Sequence, residues 1–130
     1  MTRSLAVRRD PHPEILVVED DGAVRETLQE LLEEEGYRVS PAANGREALE
    51  RLRAGKEVPC LILLDLQMPV MDGWQFRKEM RSDAALAGIP VVVISADAGL
   101  ERKVEGMAAA AVLPKPVELS RLLDTVHHFC

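Results

Sequence analysis

The most informative segment of the sequence is Leu61-Ile-Leu-Leu-Asp-Leu-Gln-Met-Pro-Val-Met-Asp-Gly73. Its four leading aliphatic residues do not alternate with polar ones, a pattern typical of a strand buried on both faces of a parallel sheet. The proline and the Asp-Gly pair indicate an irregular loop before the next helix. Asp65 therefore lies where a buried strand ends, and in open α/β sheets this edge is where ligands bind. Taken alone, Asp65 fits a capping role in the following turn equally well.

The composition of the whole chain is that of an ordinary globular domain. Its 130 residues are enough for one domain with a real core, and 47% of them are hydrophobic and 29% charged. The formal net charge of −6 argues against nonspecific binding to nucleic acid, and the few aromatic residues do not make a base-stacking platform. Because no apolar run approaches the length of a membrane span, we expect a cytoplasmic protein with no membrane partner.

The two cysteines of the chain, Cys60 and Cys130, do not suggest a disulfide framework. Small disulfide-stapled domains carry many more cysteines in a much shorter chain. Cys60 opens an apolar segment and is interpreted as a small core residue.

Apolar segments and segments of helical periodicity alternate along the chain. Residues 1–13 show no periodicity, which predicts a disordered leader before a single domain at residues 14–130. The predicted strands are residues 15–18, 37–39, 61–64, 89–94 and 109–113, and the predicted helices are residues 22–35, 44–55, 72–81, 100–107 and 119–126. This alternation predicts an α/β fold in which five helices flank a doubly wound, five-stranded parallel sheet.

Polar side chains follow four of the predicted strands at the point where each strand ends. They are Glu19 and Asp20 after the first strand, then Asp65, Ser95 and Lys115 after the third, fourth and fifth. Right-handed crossovers make the sheet parallel, so these strand ends lie on the same edge. Asp21 also follows the first strand, but we interpret it as a cap of the next helix rather than a ligand.

A group of three carboxylates with one ammonium needs a further cation. Clustered acids repel one another, and burial would raise their pKa values unless a positive charge joined them. A hard divalent ion such as Mg²⁺ binds through a few carboxylates, waters and a phosphate. The remaining groups suit phosphoryl transfer, because a carboxylate can act as the nucleophile while the metal and a lysine counter the charge of the transferred group.

The constellation resembles the receiver domain of two-component response regulators over residues 14–129, nearly the whole chain. Four motifs carry the resemblance, and they occur in order at the right spacing: Ile15-Leu-Val-Val-Glu-Asp-Asp21, Leu64-Asp-Leu-Gln-Met-Pro-Val-Met-Asp-Gly73, Ile94-Ser-Ala96 and Leu113-Pro-Lys-Pro116. The resemblance implies a flavodoxin-like sheet with strand order 2-1-3-4-5. It also implies a signalling module that takes a phosphoryl group from a sensor histidine kinase or a histidine phosphotransfer protein and then contacts a downstream protein target.

The resemblance also implies a role for each site residue. Asp65 would be the phosphoacceptor, and Ser95 and Lys115 would contact phosphoryl oxygens. Mg²⁺ would be held by Glu19, Asp20, Asp65 and the backbone carbonyl of Gln67. The Lys115–Pro116 bond would be a cis peptide. Phosphorylation would alter the loop after Ser95 and the face formed by the predicted fourth helix, the fifth strand and the last helix.

Several positions matter because they depart from the family pattern or vary within it. Val112 stands where the family usually places Tyr or Phe, whose rotamer follows the movement of the hydroxyl residue, and Val117 replaces a common aromatic after Lys-Pro. We therefore expect the aromatic switch to be absent or replaced. Gln67 and Asp97 occupy the two positions that tune hydrolysis of the phosphoryl group in this family.

Three other functions compete with the phosphoacceptor switch. A constitutive, phosphate-independent interaction domain with the receiver fold is favoured weakly by Val112 and opposed by the intact five-residue site. A phosphatase of the haloacid-dehalogenase type needs an aspartate as general acid two residues after the nucleophile, where this chain has Gln67. A dinucleotide-binding domain lacks its glycine motif after the first strand.

Overall fold

The computed structural model describes residues 13–55, 58–96, 102 and 104–130. Within these residues, five strands form one parallel sheet in the order β2-β1-β3-β4-β5, which confirms the predicted doubly wound topology. The strands are β1 Glu14–Val18, β2 Arg38–Ala42, β3 Leu61–Asp65, β4 Val91–Ser95 and β5 Ala111–Pro114.

Four helices are described, and they lie between or after the strands. They are α1 Gly22–Glu34, α2 Gly45–Ala54, α3 Gly73–Arg81 and α4 Leu119–Phe129. The helix predicted at residues 100–107 falls largely outside the described residues, as does the predicted leader at residues 1–12. In the described remainder of that segment, Val104 and Met107 are buried, as their spacing predicts. No described helix has the length and apolar character needed to cross a membrane.

The sheet is apolar on both faces, so its strands read as unbroken hydrophobic runs. One face, with Leu16 and Val18 of β1, packs on α2 and α3. The other, with Ile15 and Val17, packs on α1 and α4. This two-sided burial explains why β3 could be predicted from its four consecutive aliphatic residues.

Short polar residues start three of the four described helices. Asp21 accepts from the N–H groups of Ala23 and Val24, which confirms its predicted capping role. Asn44 accepts from the N–H of Glu47 at the start of α2, as predicted. Asp72 and Gln75 form a reciprocal capping box at the start of α3. Gly36, with φ of +95°, follows α1 in the left-handed conformation that a helix C-terminus favours.

Three strands differ from their predicted bounds by two residues or more. The fourth strand was predicted at residues 89–94, whereas β4 runs from Val91 to Ser95. The second strand was predicted at residues 37–39, but β2 runs from Arg38 to Ala42 and contains Pro41. A proline fits here because β2 is an edge strand, so its missing N–H removes no interior ladder bond. The fifth strand was predicted at residues 109–113, whereas β5 runs from Ala111 to Pro114, and the Ala110 N–H just before it already donates to the Val91 carbonyl of β4.

Cys60 packs against the core as predicted, but the expectation that the two cysteines do not form a disulfide framework was wrong. Cys60 and Cys130 form a disulfide, with their Cα atoms 5.5 Å apart and a sequence separation of 70. The bond joins the residue before β3 to the residue after α4. Composition could not reveal this pair, because only the packing of α4 across the sheet brings the two ends together.

Candidate functional site

The strand ends that carry the polar residues lie side by side at the carboxyl edge of the sheet. Val18 pairs with Leu64, so Glu19 follows directly beside Asp65. Asp65 itself pairs with Ile94, and Ser95 pairs with Pro114, the residue before Lys115. The structure therefore brings together all five side chains that the sequence placed at this edge. Glu19, Asp65 and Ser95 are buried, whereas Asp20 is exposed.

Lys115 is the cation that the structure places among these acids. Its Nζ lies 2.7 Å from Oε1 of Glu19 and 3.5 Å from Oδ2 of Asp65. Burial lowers the pKa of Lys115, but the hydrogen bonds and charges of Glu19 and Asp65 outweigh it and raise the pKa above its usual value. The lysine therefore stays charged and is shared unequally between two carboxylates.

Asp65 has an unusual proton affinity for an aspartate. Burial, followed by the hydrogen bond and the negative charge of Glu19, raises the pKa of Asp65 from 3.8 to about 7. Lys115 and the backbone N–H of Gln67, which lies 3.3 Å from Oδ1, act in the opposite direction. The single ammonium of Lys115 does not offset burial and the neighbouring Glu19, so the pKa of Asp65 stays raised.

The donor set of the pocket suits a hard cation. Glu19, Asp20 and Asp65 each offer a carboxylate oxygen, and these three oxygens lie within 4.8 Å of one another. Oxygen-only ligands at the mouth of a pocket, with one carboxylate exposed to water, match the preference of Mg²⁺ for a few carboxylates and several waters. A cation bound among these three carboxylates would offset the repulsion between them.

The loop between β3 and α3 passes close to Asp65. Gly73 begins α3 at a place where a Cβ atom would lie 2.8 Å from Leu66 Cα and 2.9 Å from the Asp65 carbonyl oxygen. Glycine is therefore needed for α3 to start against the strand end. Gln67 lies in this loop with its backbone N–H on the Asp65 carboxylate. The loop thus positions the acid from the backbone side.

Arg25 belongs to the site, although the sequence analysis did not single it out. Its Nη1 lies 2.8 Å from the carbonyl oxygen of Glu19 and 3.4 Å from that of Asp20. These contacts tie the acidic loop after β1 to the first turns of α1. The available signal was the position of a cation one helical turn after the capping residue Asp21.

Comparison with known proteins gives the family of this fold and site. Residues 15–127 match the family model described as the response regulator receiver domain. The chain belongs to this family.

Relatives and solved structures agree with this assignment. The receiver domain is 40% identical to the response regulator MprA of Mycolicibacterium vanbaalenii over 111 residues, which are 84% of this chain and 46% of the relative. MprA of Mycobacterium leprae is 39% identical over 114 residues, 86% of this chain and 48% of that protein. The chain therefore spans about half the length of these relatives.

Two solved structures are similar over almost their full length. The chemotaxis response regulator CheY4 of Vibrio cholerae has a TM-score of 0.81 and 31% identity, covering 92% of this chain and 99% of that one. A response regulator receiver protein from Pseudomonas putida has a TM-score of 0.83 and 29% identity, with the same coverage. The fold expected from the resemblance is therefore confirmed.

The structure also gives the environment of most other positions that the sequence singled out. The Lys115–Pro116 peptide is cis, as predicted. Val112 pairs with Val93 in the sheet and is only partly buried against the core on the α2 and α3 side. Val117 packs against the opposite core cluster. Asp97, at one of the two positions expected to tune hydrolysis, lies outside the described residues.

Proposed function

We propose that this receiver domain is a phosphoacceptor switch in which Asp65 accepts the phosphoryl group. The observation that carries the proposal is the environment of its carboxylate. Asp65 is 5% exposed at the carboxyl edge of the sheet, beside two further acids and with Lys115 Nζ at 3.5 Å. A structural aspartate at a turn has no need of this arrangement.

In the proposed reaction, a carboxylate oxygen of Asp65 attacks the phosphorus of a phosphohistidine. The P–N bond breaks, the imidazole leaves and takes up a proton, and an aspartyl phosphate forms. Lys115 moves from the Glu19 and Asp65 carboxylates toward an oxygen of the incoming group. The Ser95 hydroxyl donates to another of its oxygens. Ser95 ends β4, the neighbour of β3, and Lys115 follows β5, the next strand along, so both side chains lie at the same edge of the sheet.

The proposed metal ligands are the carboxylates of Glu19, Asp20 and Asp65 and the backbone carbonyl of Gln67. Mg²⁺ bound there would neutralise charge on the transferred phosphoryl group. Arg25 acts as a positioning residue, since it fixes the loop that carries Glu19 and Asp20. The acidic group after β1 and the backbone contact of Gln67 with Asp65 support this ligand set.

The proposed partners follow from the reaction and from the family. The phosphodonor is a sensor histidine kinase or a histidine phosphotransfer protein, and the phosphorylated domain contacts a downstream protein target. The proposed functional unit is residues 14–130. The responding face is proposed to include β5 and α4, and Val112 in β5 replaces the side chain through which the family usually transmits the change.

Intact mass after incubation with acetyl phosphate and Mg²⁺ tests the proposal. Wild-type protein should gain one phosphoryl group, and Asp65→Asn should gain none. Asp21→Asn is the matched control, because Asp21 adjoins the acidic pair but serves as the α1 cap. This variant should still be phosphorylated. Chelation of Mg²⁺ should abolish the gain in both the wild type and Asp21→Asn.

The competing function is a constitutive interaction domain, which Val112 favours. Beryllofluoride, which mimics the aspartyl phosphate, distinguishes the two. A switch should bind it with Mg²⁺ and show spectral shifts that Asp65→Asn does not show. If wild-type protein neither gains a phosphoryl group nor binds beryllofluoride in excess Mg²⁺, the phosphoacceptor proposal is wrong and the constitutive function stands.

A further inference from the structure

Cys60 and Cys130 lie at the end of the sheet opposite the phosphorylation site. Cys60 precedes β3 and Cys130 follows α4, and their Cα atoms are 5.5 Å apart. Both residues are only partly buried, so reagents in solution can reach this part of the molecule. We propose that the pair is a reversible oxidation site whose disulfide locks α4 against the sheet.

In the reduced form, the Cys60 thiol would have a hydrogen-bond acceptor nearby. The Cys60 sulfur lies 3.3 Å from the carbonyl oxygen of Glu14, which can accept the weak hydrogen bond of an S–H group. The Cys60 backbone N–H also donates to the same carbonyl, at 2.9 Å. Reduction would therefore leave both the backbone N–H and the thiol of Cys60 within hydrogen-bond distance of the Glu14 carbonyl.

Helix α4 is capped less well than the other described helices. The first three helices each have a side-chain cap at the N-terminus, whereas Glu118 makes no such hydrogen bond to α4. The helix is also held by the burial of Leu122 and Val126 and, near its C-terminus, by the contact of His127 Nε2 with Glu35 Oε1 at 3.6 Å. A covalent bond at the residue after its last turn adds a constraint that does not depend on these weaker contacts.

The loop closed by the disulfide contains the centre of the site. The two cysteines have a sequence separation of 70, and Asp65, Ser95 and Lys115 all lie between them. Closing a loop of this length removes many conformations from the unfolded chain and so stabilises the fold. The disulfide also fixes the C-terminal end of α4, and the N-terminal end of this helix lies shortly after Lys115.

The redox step is a thiol–disulfide exchange with a small disulfide such as oxidised glutathione. One protein thiolate attacks the small disulfide and releases one small thiol. The second protein thiolate then attacks the mixed disulfide and releases the other. The two protein thiols together lose two electrons and two protons, and the small disulfide is reduced to two thiols.

A glutathione titration followed by thiol labelling and intact mass tests the proposal. Wild-type protein should take up two labels in reduced buffer and none in oxidised buffer, and the change should reverse. The oxidised form should melt about 10 °C higher than the reduced form. Hydrogen exchange within residues 119–129 should also be slower in the oxidised form.

Cys130→Ser is the matched variant, because it changes one atom at the end of α4. Its Tm should match that of reduced wild type and should not respond to the glutathione ratio. Two accessible thiols in oxidised buffer, equal melting of the two wild-type forms, or a bond that native protein keeps in reduced glutathione would each overturn the proposal.

An effect of the lock on the phosphorylation response rests on the proposed function, because α4 belongs to the face proposed to respond. The labelling and melting experiments use no phosphodonor, and repeating them in Asp65→Asn separates the two proposals. Redox-dependent melting in that variant supports the lock even if Asp65 accepts no phosphoryl group. If the lock holds, oxidised wild type should show smaller beryllofluoride-induced spectral shifts in α4 than reduced wild type. Equal shifts would exclude this regulatory effect.

Discussion

The acidic pocket at the sheet edge and Arg77 on α3 are the two places where the described residues bury charged side chains. In the pocket, Glu19 and Asp65 share a single lysine. The Arg77 guanidinium instead donates to two backbone carbonyls, from Nε to Met107 at 2.7 Å and from Nη2 to Ala108 at 3.2 Å. Among the described residues, no carboxylate forms an ion pair with Arg77.

The pKa shifts of the two clusters have opposite signs and a shared first cause. Burial, and then the charge of Arg81, lower the pKa of Arg77, whereas burial and Glu19 raise that of Asp65. An arginine stays protonated despite such a shift, so neutral carbonyls are sufficient partners for it. A carboxylate with a pKa of about 7 changes its charge near neutral pH and responds to any added cation. The Arg77 cluster is therefore structural, and the acidic pocket is suited to bind and react.

Replacing Arg77 should give the largest loss of stability. In Arg77→Met, the carbonyls of Met107 and Ala108 lose charged donors in a buried place, which should cost about 3 kcal/mol of unfolding free energy. Urea denaturation measures the change. Arg81→Met is the control, because among the described residues the exposed Arg81 donates to the Gly106 carbonyl alone. It should cost less than about 1 kcal/mol. Equal losses of unfolding free energy in the two variants would contradict a structural role for the Arg77 hydrogen bonds.

Asp65→Asn should stabilise the protein in a pH-dependent way. The folded state binds a proton at Asp65 more tightly than the unfolded chain, so stability falls as pH rises from 3.8 to about 7. The full linkage term is on the order of 4 kcal/mol, and we expect the variant to recover about 2 kcal/mol because the amide is still buried. The gain should appear at pH 8 and shrink toward pH 4 in urea melts. A gain independent of pH would contradict the assigned cause.

Removing Lys115 should raise the pKa of Asp65 still further above that of an ordinary aspartate. In Lys115→Met, Asp65 loses the one charge that lowers its pKa, so this pKa should rise above about 7. Carboxyl NMR titration measures the shift. Because Lys115 is partly exposed, the loss of stability at pH 8 should be only about 1 kcal/mol. Added Mg²⁺ should restore part of this loss, and no shift in the Asp65 pKa would contradict the shared ion pair.

The smallest effects should come from two strained residues, one beside each cluster. Val70, in the loop after Asp65, has φ of +70°, and Ala108, which accepts from Arg77, has φ of +54°. Glycine relieves this strain at a cost in chain entropy. Val70→Gly should gain about 0.5–1 kcal/mol because a β-branched residue is strained most, and Ala108→Gly should be near neutral. Urea melts compare the two, and a loss at Val70 would show that its side chain supports the loop.

Local sequence determined the strands, the helix starts and the candidate site residues. Four consecutive aliphatic residues before Asp65 indicate burial on both faces whatever the neighbouring strands are. Asp21 and Asn44 satisfy N–H groups only two or three residues away, so their roles could be read locally. The position of each acid at a strand end also follows from the order of residues, and parallel topology then brings the ends together.

Tertiary structure decided what depends on distance between remote segments. It paired Cys60 with Cys130 across 70 residues and placed the Arg77 guanidinium on carbonyls some 30 residues away. It also set the unequal sharing of Lys115 between Glu19 and Asp65, and hence the raised pKa of Asp65. These properties arise from burial and from distances of a few ångströms, and residue order alone specifies neither of them.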